Sequence, residues 1–592
     1  MSTTGAAGAT AAEHGVEQKN DHRKDRGKER DNGKGNGKGN GKGKGKGKGR
    51  DNGKGKRWPA LTPTAMETVA AMEPGWNVGN TLDAVGDETS WGNPLITREL
   101  FSAVRAQGYK SIRLPVTWSN RQGGAPDHTV DPAFMDRVEQ VVDWALEEDL
   151  YVLLNVHHDS WQWINEMPAR HDTVLDRYSA LWTQIAERFR HTPSKLLLES
   201  VNEPQFANSD GVEHEYALLN ELNVVFHEII RGSGGANASR VLVLPTLHTG
   251  SDQARLDPLL DTFDELADPY LAATVHDYGY WPFSVNVAGV TRFDEQSRQS
   301  LTDTFDRVHD TFVAAGIPVI IGEYGLLGFD SGSTGTVQQG EKLKFFEMFG
   351  SYARQKQLTT MLWDNGQHFD RATHEWRDQS LFRQMRSAWT VDSATGSTDE
   401  IFVRTGQEPA DATITLDLAG NSLDAVQHGS RTLVPGVDYR LDGDRLTFAA
   451  ATLAHLTESQ GHGVNATVTL EFSAGAPWDV DVIGHDTPTQ RNATGTTGAL
   501  TVPTSFNGDL LATMEAVYSD GTNAGPHDWT SYKEFGRAFA PDYDTGTITI
   551  TDQFFSGMTD HSTVHLTFHF WSGETLAYTL TRSGTTVTGT VG

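Results

Sequence analysis

Two short strings, Val201-Asn202-Glu203-Pro204 and Gly322-Glu323-Tyr324-Gly325, each present a glutamate where a run of apolar β-forming residues stops. A carboxylate at the C-terminal tip of a buried strand is costly to desolvate and adds nothing to packing, so its position calls for an explanation in chemistry. Two such tips make a carboxylate pair. Paired carboxylates across one cleft are the minimum equipment for cleaving a glycosidic bond, one as proton donor and the other as nucleophile or base.

The elements that must position these groups follow from the surrounding pattern. Between Trp58 and about Ala394, strand-like runs alternate with helical ones. The strand candidates are Gly75 to Thr81, Ser111 to Val116, Tyr151 to His158, Leu196 to Glu203, Arg240 to Leu247, Leu271 to Tyr278, Pro318 to Gly325 and Thr359 to Asn365. Asp131 to Leu150 illustrates the intervening helices: an Asp cap, Pro132 at the first helical position, then Phe134, Val138, Val141, Val142 and Ala145 at helical spacing. Eight repeats of β then α predict a (β/α)8 TIM barrel over residues 58–394. After Ala394 the pattern changes to short alternating runs with turn residues, which predicts two β-sandwich, immunoglobulin-like modules, at 395–475 and 476–592.

In such a barrel all eight strand C-termini open onto one mouth, so residues remote in sequence meet there. The strand ends offer Asn80, Arg113, His157 and His158, Asn202 and Glu203, His248, His276 and Tyr278, Glu323, and Trp363 with Asp364. Arg113 and the Tyr278 hydroxyl can both donate to Glu323, which favours its ionised form and suits a nucleophile. Glu203 has neutral Asn202 beside it and His276 near it, so partial burial is expected to raise its pKa toward that of a general acid. Asn202 can hydrogen-bond a sugar 2-hydroxyl. Trp363, Trp91, Trp118 and Trp281 are candidates for flat apolar platforms against pyranose rings, core packing being the alternative for each.

Composition bounds the rest. Residues 1–57 hold 16 Lys and Arg against 7 Asp and Glu, a net of +9, so the remainder carries −38 of the chain's −29. An acidic folded part disfavours nucleic acid and anionic membranes as partners and suits a neutral polysaccharide. The Gly/Lys-rich tail has no apolar surface to bury and is expected to be disordered, as a solvated spacer or as a basic segment touching nucleic acid or an anionic cell wall. No stretch is long and apolar enough to span a bilayer, and the N-terminus lacks the apolar core of a secretory signal. Cysteine is absent, which excludes disulfides and thiolate metal sites. A monomer that needs neither cofactor nor metal is expected.

Six strings occur in an order that resembles glycoside hydrolase family 5, the retaining cellulase-type clan. They are Gly75-Trp76-Asn77-Val78-Gly79-Asn80-Thr81-Leu82-Asp83, Trp91-Gly92-Asn93-Pro94, Ile112-Arg113-Leu114-Pro115-Val116, Asn202-Glu203-Pro204, Gly322-Glu323-Tyr324-Gly325 and Leu362-Trp363-Asp364-Asn365-Gly366. The resemblance implies a retaining endo-β-1,4-glucanase for cellulose-type, mixed-linkage or xyloglucan chains; such a substrate argues for action outside the cell, although no signal peptide is visible. It also implies Glu203 as acid/base, Glu323 as nucleophile, and Arg113, His157, Asn202, His276, Tyr278 and Trp363 around the cleavage point. Asp277 departs from the family's usual residue.

The middle block, with Leu418-Ala419-Gly420-Asn421, resembles the X2 module, and the last, with Phe568-His569-Phe570-Trp571-Ser572-Gly573, resembles carbohydrate-binding module family 46. Trp529, Tyr532 and Trp571 are its candidate glycan-stacking residues. Three alternatives remain: a mannanase or xylanase on the same barrel, a metal-dependent hydrolase built on His157, His158, Asp159 and His276, and a glycan-binding protein with an inactive barrel.

Overall fold

The computed structural model describes residues 63–330, 335–458 and 461–592; the Gly/Lys-rich tail lies outside them. Eight parallel strands close into a barrel in sequence order: β1 (Gly75–Asn77), β2 (Ser111–Leu114), β3 (Tyr151–Asn155), β4 (Leu196–Glu199), β5 (Leu242–Pro245), β6 (Leu271–Asp277), β7 (Val319–Tyr324) and β8 (Thr359–Leu362). Each expected strand is present, most of them shorter than the apolar run that announces them. The Asp131 cap accepts from the Ala133 N–H at 2.9 Å, and the helix Pro132–Glu147 buries Met135, Val138, Val141, Val142 and Ala145 against the barrel.

Alternation along the strands sorts side chains into two sets. Leu153, Leu197, Val243, Ala272, Ile320 and Met361 fill the barrel's interior over Ala65, Val69 and Met72, while Val152, Leu154, Leu196 and Leu198 join the larger core under the helices. Arg113 pairs in register with inward-facing Leu153, and Glu199 follows Leu197 by two, so parity turns both inward, toward the mouth.

Glu323 breaks that parity. The β6–β7 register runs Thr274↔Ile320 and Val275↔Ile321 and then jumps to His276↔Glu323, a bulge that leaves Gly322 unmatched. The bulge brings Glu323, instead of its neighbour, level with His276. A Cβ on Gly322 would stand 2.7 Å from Thr274 Oγ1 and 3.1 Å from His276 Nε2, so the extra residue has no room for a side chain.

After the barrel, strands Thr395–Gly396, Ala412–Asp417, Arg445–Phe448 and Tyr439–Asp442 form one sheet. Glu400–Arg404, Trp478–His485, Gly463–Phe472, Leu423–His428 and Arg431–Thr432 form a second, in which Glu400–Arg404 and Trp478–His485 run parallel. Trp478–His485 therefore belongs to the middle module. A division at 475/476 falls too early, because the Trp-Asp-Val-Asp-Val alternation continues the middle sheet. The last module orders its strands around a separate core that includes Val502, Met514, Ile548, Phe568 and Leu580.

The last module is docked on the barrel. Asn286, 3 % exposed, donates from Nδ2 to Thr336 O at 2.9 Å and Ala512 O at 3.0 Å, and its backbone carbonyl accepts from the Phe535 N–H at 3.1 Å. Arg404 of the middle module pairs with Glu574 of the last.

Candidate active site

Arg113 organises the mouth from within. Its guanidinium, fully buried, grips Glu199 with two hydrogen bonds (Nε to Oε2 at 2.7 Å, Nη2 to Oε1 at 3.0 Å). Nη1 reaches Glu323 Oε1 at 2.7 Å and Asn77 Oδ1 at 3.1 Å, and Nη2 reaches Asn202 Oδ1 at 2.7 Å. All five N–H donors are thus used. Burial works against the cation, but Glu199 and Glu323 outweigh it and hold the guanidinium above its ordinary value.

Glu323, 5 % exposed, receives that bond on one oxygen and the Tyr278 hydroxyl on the other at 2.7 Å. His157 Nε2 lies 3.9 Å from Oε1. Burial, reinforced by His158, Arg113 and His276, holds His157 well below the usual imidazole range, so it faces Glu323 as a neutral ring. Its Nδ1 pairs with the Asn155 amide at 3.0 Å, and its plane lies parallel to Trp363, 2° apart with centroids 5.9 Å apart.

Glu203 is half-exposed and its backbone sits at φ 40°, a left-handed conformation that a glutamate adopts only under constraint. Its Oε1 lies 3.0 Å from His276 Nδ1, which stands 3.5 Å from Glu323 Oε2, and one oxygen of each glutamate and a ring nitrogen of His276 lie within 4.8 Å of one another. Burial pushes the Glu203 carboxyl up, but the His276 contact and the nearby charges of His276, Arg113 and His158 outweigh it and leave it below its ordinary value. This corrects the expectation of a raised value: no such partner shares its strand, yet β2 brings Arg113 and β6 brings His276 to it.

Other expected residues fall into distinct positions. Asn202 is oriented by Arg113. Asn80, at φ 55°, donates its backbone N–H to Asp83 Oδ2 at 3.0 Å at the rim. His158 packs between the half-exposed rings of Trp91 and Trp161, at 5.2 and 5.5 Å, and accepts from Trp161 Nε1 at 3.0 Å.

Trp118 is not a platform: it is wholly buried, its indole N–H bound to Asn155 O at 3.1 Å. The four ligands of the metal alternative do not converge. Buried Asp159 accepts from the Trp118 N–H at 2.8 Å and Trp163 Nε1 at 2.7 Å. His276 clusters with the two glutamates, while His157 and His158 cluster with Asp83.

In the last module, Trp529 is 57 % exposed and lies 6.3 Å from Trp281 of the barrel, itself 38 % exposed, with His527 5.7 Å from Trp281. Tyr532 and Trp571 are different: each has a face against the barrel. The Tyr532 ring lies 3.2 Å from where a Cβ on Gly289 would stand, and Arg292 covers Trp571 at 4.9 Å. Both touch the barrel from outside the strands, Tyr532 at an isolated bridge to Glu515 and Trp571 just past the end of Thr563–Phe570.

Sequence reasoning missed Glu199, Asn77 and Trp161. Glu199 had a signal, a charge inside the unbroken buried run Leu196–Glu199; Asn77, whose Nδ2 bridges the carbonyls of Gly322 (2.9 Å), Met361 (3.1 Å) and Leu362 (3.2 Å), had only its inward parity.

Residues 77–369 match the family model of cellulase (glycosyl hydrolase family 5), 395–482 that of carbohydrate binding domain X2, and 486–590 that of the carbohydrate binding domain CBM46. Endoglucanase B of Paenibacillus lautus is 52 % identical over 536 residues, 90 % of this chain and 94 % of the relative. The chain belongs to glycoside hydrolase family 5. Among solved structures, the tri-modular endo-β-1,4-glucanase B of Bacillus halodurans superposes with a TM-score of 0.88 at 53 % identity, over 90 % of this chain and 100 % of that one. A tri-modular family 5 endo-β-1,4-glucanase of Bacillus licheniformis complexed with cellotetraose gives 0.76 at 32 % identity, over 89 % and 99 %. This family 5 chain thus shares the three-module order with both.

Proposed function

We propose that the chain is a retaining endo-β-1,4-glucanase acting outside the cell on cellulose-type, mixed-linkage or xyloglucan backbones. The observation that carries the reading is the Glu203–Glu323 approach: oxygens within 4.8 Å suit the close spacing of retaining enzymes, about 5 to 5.5 Å, and leave no room for the water of an inverting one, which needs about 6.5 to 9.5 Å. Glu323, ionised by Arg113 and Tyr278, attacks the anomeric carbon. The glycosidic C–O bond breaks as Glu203 gives its proton to the leaving oxygen. Water then attacks the glycosyl ester, Glu203 takes a proton from it, and the Glu323 carboxylate is released.

His276 serves both halves. Its Nδ1 donates to the Glu203 carboxylate in one tautomer and accepts from the carboxylic acid in the other. His276, Arg113 and His158 hold the Glu203 carboxyl below its ordinary value; the negative charge of Glu323 works against them until it is esterified, so Glu203 binds a proton more readily before the first step than after it and then serves as the base. Asn202, its oxygen held by Arg113, turns its amide N–H to the sugar. Trp363, Trp91 and Trp161 offer apolar faces, and exposed Trp529 beside Trp281 supports an extension of the cleft by the last module.

The glucanase names of the relatives support β-1,4-glucan over mannan or xylan. The test is a panel of carboxymethylcellulose, lichenan, xyloglucan, xylan and mannan, with the anomer of the first product followed by NMR. Glucan cleavage with a β product supports the reading; an α product, or preference for mannan or xylan, overturns it.

A further inference from the structure

The loop that carries Trp529 is built around a buried cation. Lys533 has no exposed surface, and its Nζ donates to three backbone carbonyls of that loop: Thr530 at 2.6 Å, Pro526 at 3.0 Å and His527 at 3.2 Å. An ammonium has three protons, so the loop takes all of them. The backbone of Lys533 is itself anchored, its N–H donating to Met514 O at 2.9 Å on the strand Leu511–Tyr518. Two side contacts brace the same turn: His527 Nε2 with Glu534 Oε2 at 2.9 Å, and Asn523 Nδ2 to Asp528 O at 2.7 Å. The ring of His527, held at both ends of this arrangement, lies 5.7 Å from Trp281 and 6.1 Å from Trp529.

A lysine is a costly choice for this position. Burial pulls the ammonium down to about 8, with Asp528 opposing it. An unbranched apolar side chain would fill the same space without desolvating a charge. What an apolar side chain cannot do is gather three carbonyls onto one point.

We infer that Lys533 is a positioning residue for glycan recognition: its ammonium gathers the 526–530 loop onto the module's core and so sets Trp529 beside Trp281 of the barrel. The inference rests on the reading above that these two rings face a glucan chain. Without the ammonium the three carbonyls turn to water, the loop opens and the indole leaves its place, while the barrel's own groups stay put.

The test uses the full chain, with Trp529→Ala, Lys533→Met, Lys533→Gln and the double variant Trp529→Ala/Lys533→Met assayed on xyloglucan and on cellotetraose. Lys533→Met should raise KM on xyloglucan about 2- to 10-fold, the size of one lost aromatic contact. Its kcat on xyloglucan, both constants on cellotetraose and the thermal midpoint should be unchanged. Lys533→Gln, which keeps two donors, should fall between, and the double variant should be no worse than Trp529→Ala. If Trp529→Ala raises KM and Lys533→Met does not, the positioning role is overturned and the platform stands. If Trp529→Ala itself leaves KM unchanged, the platform reading falls and the role of Lys533 with it. Should Lys533→Met abolish the module's unfolding transition, Lys533→Gln decides by the same KM criterion.

Discussion

Arg113 and Glu199 form a two-bonded ion pair, at 2.7 and 3.0 Å, with neither side chain exposed to solvent. Neither residue is free to move, so Glu323 and Asn202, which hang on the same guanidinium, inherit that rigidity. Breaking a buried pair costs about 3–5 kcal/mol; without Glu199 two guanidinium N–H donors lose their partner and only Glu323 is left to balance the charge. Glu199→Ala should lower the unfolding free energy by about that amount, read by denaturant titration. A loss below about 1 kcal/mol would show that the pair does not hold the mouth together.

The two glutamates should separate by leaving group. Glu203→Gln removes the proton donor and should slow polymer cleavage by about 10²- to 10⁴-fold, yet spare most of the first step on aryl cellobiosides whose phenolate needs no proton. Glu323→Gln should abolish both, with glucan affinity retained. Equal losses on the two substrate types in both variants would contradict the assignment.

A pH dependence follows from Glu347, on the helix Gln339–Gln355. Burial pushes its carboxyl up to about 7, against the bonds it accepts from the Ser393 N–H at 2.6 Å and Gln384 Nε2 at 2.7 Å. Because the folded value lies above the ordinary 4.5, the unfolded chain releases this proton first. The stabilising contribution is complete below pH 4.5 and lost as pH rises through about 7. Glu347→Gln should therefore raise the thermal midpoint at pH 8 and leave it unchanged at pH 4; the opposite order in a calorimetric series would refute the sign.

Trp571 and Trp529 should behave differently although both lie in the last module. Trp571→Ala removes the ring under Arg292 and should destabilise the docked module by about 0.5–2 kcal/mol, seen as a lower or split melting transition. Trp529→Ala should leave melting alone and weaken polymer binding. The converse result would return Trp571 to the glycan-facing set.

Much of this molecule can be read before it is seen. The eight strands announce themselves as apolar runs ending in polar residues, and the helix after Asp131 carries its cap and periodicity in plain view. Both glutamates stand out because a charge at such a tip has no packing purpose. What escapes is anything decided by partners on other strands. The bulge at Gly322 reverses the facing of Glu323, and nothing local in Gly-Glu-Tyr-Gly distinguishes a bulge from a straight strand. Trp118, Tyr532 and Trp571 look like any other tryptophan or tyrosine until the surface that covers them is known. The lowered carboxyl of Glu203 belongs to the same class: its cause lies on β2 and β6, not in its own neighbours.

The parallel register of Glu400–Arg404 with Trp478–His485 has a mechanical consequence. The first follows the short entry strand Thr395–Gly396, and the second is the strand from which the chain leaves for the last module. Tension on the chain, as when one end clings to an insoluble fibre, drags them past each other lengthwise and loads their whole ladder simultaneously instead of unzipping it rung by rung. The module should yield at a higher force when stretched through these strands than when peeled from the Arg431–Thr432 edge, a contrast that single-molecule pulling from two attachment geometries can measure.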